Sequence, residues 1–181
     1  YLKEQQAYLR DLLKMFAGYV KEDGMECLPG ARFFDWPSEG DTVAIHAGLQ
    51  GILCMGLDAG AKMCRILGED EVAALCEEKV AKLRSIPVPD TNGNKRAAAM
   101  LLLSGVAQGK DAADLVAMIK EGGAQGMSTF LGYYVLNALS EQNETTAALD
   151  IIRTFWGAML SRGATTFWED FSMDWLEGTG R

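Results

Sequence analysis

Two stretches of this chain set carboxylates among aromatic rings, a combination able to hold and cleave a sugar. The first is Arg32-Phe33-Phe34-Asp35-Trp36-Pro37-Ser38-Glu39-Gly40-Asp41, with three aromatic side chains and three acids within ten residues. The flat apolar rings of Phe34 and Trp36 suit the C–H face of a pyranose, and ionised Asp35 suits its hydroxyls through charge-assisted hydrogen bonds. The same composition fits a loop that tucks Phe33 and Phe34 into a core and leaves its acids in water. The second stretch is Gly163-Ala164-Thr165-Thr166-Phe167-Trp168-Glu169-Asp170-Phe171. Gly163 reads as the stop of one helix, and Thr165 or Thr166 as the cap of the next. Glu169 is then expected in or near a first helical turn, between Trp168 and Phe171. A carboxylate in that setting at the mouth of a cavity suits general acid–base work. The Thr166–Glu169 spacing equally fits a capping box, in which the carboxylate serves only its own helix.

The segments that must position these loops read as helices. Helical periodicity runs over about 2–22, 43–67, 70–84, 95–107, 111–120, 128–140 and 144–161, with an eighth helix starting after Glu169. All four prolines (29, 37, 87 and 89) fall between these segments, and no stretch alternates long enough for a strand. Helices with one apolar stripe alternate with helices apolar on nearly every side, which implies outer and inner positions in turn. Short links such as Gly68-Glu69 alternate with long ones, at 23–42, 86–94, 121–127 and 162–169. Stacked helical hairpins would place every long link at one end, at the N-termini of the inner helices. Long loops on a rigid scaffold are where sites sit, and helix N-termini carry partial positive charge that suits polar ligands. The expected fold is all-α, an α/α toroid arc of about three and a half hairpins. The alternative is an open helical-repeat solenoid that binds a protein or peptide, although no clean internal repeat is visible.

Bulk properties narrow the class. The 181 residues fit one core, and 49% hydrophobic with 23% charged residues is ordinary for a globular chain. A net charge of -8 argues against a nucleic-acid-binding face. No apolar run is long enough to predict a membrane span. Cys27, Cys54, Cys64 and Cys76 form no CxxC pair and read as buried thiols, and the nine methionines read as gap filling. His46, one turn into an apolar helix, reads as a core or rim residue. Trp156 and Trp175 read as packing groups, and Asp90-Thr91-Asn92-Gly93 as a turn near the same loop end. No signal segment is visible.

The run Gly-Ala-Thr-Thr-Phe-Trp-Glu at 163–169 resembles the signature of glycoside hydrolase family 78, the α-L-rhamnosidases. Phe34-Asp35-Trp36 is similar to that family's Gly-Asp-Trp loop, with Phe in place of Gly. Further similarity runs through Met127-Ser128-Thr129-Phe130, Tyr133-Tyr134 and 155–160, so the likeness covers most of the chain. It implies that 1–181 is part of a six-hairpin (α/α)6 catalytic barrel, cut at both ends, that needs no cofactor and acts on a rhamnose-containing glycan or glycoside. Glu169 would be the base that activates water, with Phe34, Asp35, Trp36 and Trp168 lining the sugar pocket. The family inverts the anomeric centre, which calls for two carboxyls about 6.5–9.5 Å apart. Its general acid lies in an arginine- and acid-rich motif upstream of the Gly-Asp-Trp loop. This chain holds no counterpart, so the polypeptide alone is expected to be inactive. A rival assignment makes Asp35 the acid. A cut ring also implies apolar flanks and self-association.

Overall fold

The computed structural model describes residues 1–177 and is all-helical, with seven α-helices and no strand among the described residues. They are α1 (Gln6–Ala17), α2 (Thr42–Leu67), α3 (Asp70–Arg84), α4 (Lys95–Leu103), α5 (Gly109–Lys120), α6 (Gly132–Glu141) and α7 (Thr145–Ser161). The inner helices α2, α4 and α6 pack in succession. The outer helices α3, α5 and α7 each lie on the inner helix that precedes them, while α1 leans on α2 and α3. This is the outer–inner alternation that the apolar patterning predicts, in three hairpins behind a leading helix.

The inner layer is tight because its residues are small. Ala97, Ala98, Ala99, Met100 and Leu101 of α4 are buried on every side. At Gly51 of α2, a Cβ would lie 2.6 Å from the Met100 backbone carbon, so no larger residue fits this crossing. By length and hydropathy α2 is apolar enough to cross a bilayer, contrary to the sequence expectation. More than half of its apolar window (56%) is buried within the protein, as befits the central helix of a core.

Helix ends differ from the periodic pattern where polar backbone partners intervene. The first helix stops at Ala17, and the chain turns through 21–24 into a single antiparallel bridge between Val20 and Glu26. The fourth stops at Leu103, because Arg84 Nε takes the Ser104 carbonyl (2.8 Å) and Gly105 follows at φ 71°. The sixth begins only at Gly132, after a turn over 128–131. The expected helix after Glu169 is a 3-10 turn, Met173–Glu177.

Cys54, Cys64 and Cys76 are fully buried and Cys27 partly so, all as free thiols. Burial, helped by the neighbouring Cys64 sulfur, pushes the Cys76 thiol up to about 11. An aromatic disulfide reagent at pH 8 is therefore expected to label only Cys27 quickly in the folded protein, and all four thiols in denaturant. Rapid labelling of a second thiol without denaturant would contradict this packing.

Candidate active site

All four long connections meet at one end of the arc, joined loop to loop by hydrogen bonds. Asn92 Nδ2 donates to Asp41 Oδ2 (3.2 Å) and Asn94 Nδ2 to Ser38 Oγ (3.1 Å), which ties the second connection to the first. Arg96 Nη2 donates to Ser38 Oγ (3.2 Å) and Nη1 to the Gly126 carbonyl (3.0 Å), which ties the first to the third. Thr129 Oγ1 donates to the Glu169 carbonyl, tying the third to the fourth. Local chemistry sets the helix starts behind them. Asp41 Oδ1 caps α2 by accepting from Ala44 N–H (3.0 Å), and Asn94 Oδ1 caps α4 by accepting from Arg96 and Ala97 N–H (3.1 Å each).

Between the first and fourth connections lies a cleft of about 410 Å³. Trp36 and Glu39 line it from the first connection, Arg96 from the start of α4, and Met127 from the third. The fourth supplies Asp170, Asp174 and Trp175. Two indoles, each about half exposed or more, and three carboxylates around one guanidinium make a surface for a neutral, hydroxyl-rich ligand. The rings offer apolar faces, and the acids accept hydrogen bonds from hydroxyls.

The structure brings only part of the sequence-predicted set to this cleft. Trp36 forms its wall, braced edge-to-face by Phe33 at a centroid distance of 5.0 Å. Phe34, expected there, is buried in the core instead. Its ring covers Gly48 of α2 so closely that a Cβ there would lie 2.6 Å from it. Asp35 is also buried and outside the lining. Its Oδ1 accepts from Trp36 N–H (3.0 Å), starting the short 3-10 turn Trp36–Ser38, and its Oδ2 lies 3.5 Å from Arg96 Nε. Trp168 is half-buried against Phe171 (5.8 Å) and does not line the cleft.

Glu169 is exposed and does not line the cleft, although the next residue, Asp170, does. No helix starts at Thr165 or Thr166, so neither the expected first turn nor the capping box forms. Among the described residues the Glu169 carboxylate has no hydrogen-bond or ion-pair partner, and only its carbonyl is held.

Sequence reasoning missed Arg96 and Asp174 as cleft residues, and it placed Asp170 only as a neighbour of Glu169. The legible signal for Arg96 was Lys95-Arg96 opening a helix that is otherwise wholly apolar. Cations at a helix N-terminus oppose the dipole, so burying two of them there needs dedicated acceptors.

No family model and no curated protein matches the chain. Among solved structures it is similar to a GH78 family rhamnosidase of Bacillus sp. GL1, with a TM-score of 0.74, 18% identity and 94% of this chain covered. It is equally similar to a rhamnosidase from Klebsiella oxytoca with rhamnose bound, at TM-score 0.74, 20% identity and 95% coverage. The chain shares its fold with rhamnosidases. It spans about a fifth (20%) of the Bacillus enzyme's length and about a third (36%) of the Klebsiella enzyme's. At this identity the likeness is one of fold, and it agrees with the helical-hairpin arc described above.

Proposed function

We propose that this chain is part of a glycoside hydrolase acting on terminal α-L-rhamnosyl linkages, and that the cleft between Trp36 and Trp175 receives the sugar. The cleft carries the reading. It sets two indole faces and three acids at the loop end of a helical arc whose fold is shared with a rhamnosidase that has rhamnose bound. Glu169 is assigned as the base that draws a proton from water in an inverting displacement. Its side chain is exposed to water, one residue before the cleft-lining Asp170. Asp35, buried behind the lining against Arg96, holds the Trp36 turn in place rather than acting as the acid.

The general acid belongs to a motif this chain lacks. The 181 residues alone are accordingly expected to bind L-rhamnose without releasing the aryl group from an aryl α-L-rhamnoside. In a polypeptide that also carries the acid motif, Glu169→Gln should lower kcat by about 10²–10⁴-fold, the range for loss of a general base. Asp170→Asn should weaken KM more than kcat. The opposite split would transfer the base to Asp170, and turnover by the 181 residues that survives Glu169→Gln would refute the assignment.

A further inference from the structure

We infer that Arg96 is the positioning residue of the cleft, a buried guanidinium that ties the first connection, which carries Trp36, to the third, which carries Met127. This rests on the cleft being the sugar site proposed above. Arg96 is 5% exposed, yet it is the one cation in the cleft lining among the described residues. Desolvation lowers its pKa, and the nearby Asp35 and Asp41 carboxylates only partly offset this. A cation so buried, at the positive end of α4, is retained only where its donors are needed.

Those donors reach both of these connections. Nη2 holds Ser38, two residues after Trp36, and Nη1 holds Gly126, beside Met127. Nε faces Asp35, the residue that starts the Trp36 turn. No other described side chain bonds both connections. Lys95 next to it is equally buried but donates only to the Glu121 and Gly123 carbonyls (2.7 and 2.8 Å). It secures the third connection and leaves the first alone. The planar fork of arginine is what allows two acceptors on different loops to be held at once, which the single ammonium of lysine does not reproduce.

The test is hydrogen exchange on the 181-residue chain, with L-rhamnose affinity and melting temperature measured on the same samples. Arg96→Met should speed exchange at both 36–41 and 124–127 by about tenfold or more, as loss of a charge-assisted hydrogen bond implies. Lys95→Met should do so only at 121–125. Ser38→Ala, which leaves the guanidinium in place, should loosen 36–41 alone. Arg96→Lys should melt close to wild type yet bind L-rhamnose at least about tenfold more weakly. If Arg96→Met does not fold, Ser38→Ala and Arg96→Lys decide the matter. Unchanged exchange at 36–41 in Ser38→Ala, or full rhamnose affinity in Arg96→Lys, overturns the proposal. If the wild type binds no rhamnose, the sugar reading fails, while the exchange results still judge whether Arg96 couples the first and third connections.

Discussion

Arg32→Leu/His46→Leu is expected to destabilise the chain by about 3–5 kcal/mol, the cost of stranding a buried charge by removing its partners. The charge is Glu26, whose side chain is fully buried. One carboxylate oxygen accepts from the Arg32 guanidinium and from His46 Nδ1, and the other accepts from Leu28 N–H (2.8 Å). Gln50 of α2 closes the cluster by accepting from Glu26 N–H (2.8 Å) and donating to the Gly24 carbonyl (2.9 Å). The group thus staples the 18–41 connection to the inner helix from which the cleft hangs. Glu26→Gln should cost less, because Arg32 and His46 are partly exposed and can turn to water.

Phe171→Ala should cost about 3–5 kcal/mol and empty the cleft of one wall. Phe171 is 2% exposed and sits at the junction of an aromatic chain. Its ring meets Phe155 of α7 at 5.2 Å, Trp168 at 5.8 Å and Trp175 at 5.9 Å, all edge-to-face. Removing it leaves a cavity against Phe155 and frees both indoles of the fourth connection. The expected readout is a lower denaturant midpoint together with a red-shifted tryptophan emission in the folded baseline. Phe167→Ala is the control, because Phe167 is almost wholly exposed and its loss should leave stability within about 0.5 kcal/mol.

Much of the architecture could be read from patterning, since burial on all sides and burial on one stripe leave different imprints on helices. The wholly apolar run after Arg96 has no solvent face to mark, and α4 is buried almost throughout. Helix ends were less legible. Arg84 capturing the Ser104 carbonyl is a contact between residues 20 apart, which no local rule sees. In the first connection, period-free sequence could not distinguish Phe33 from Phe34, and the fit of Phe34 over Gly48 decided which ring went inward. Glu169 was expected to face inward because a helix was expected to start before it. With that helix absent, its neighbour Asp170 lines the cleft. Trp175 was read as packing, and it does pack on Phe171, but its ring also reaches the cleft.

The central claim is that the cleft between the first and fourth connections holds rhamnose, and calorimetric titration of the 181-residue chain with L-rhamnose tests it most directly. A dissociation constant on the order of a millimolar, about 4 kcal/mol of binding, is expected for wild type. Trp36→Ala should abolish the heat, and Trp156→Phe, on the outer helix, should retain it. Absence of binding by wild type, or equal binding by Trp36→Ala, would contradict the account.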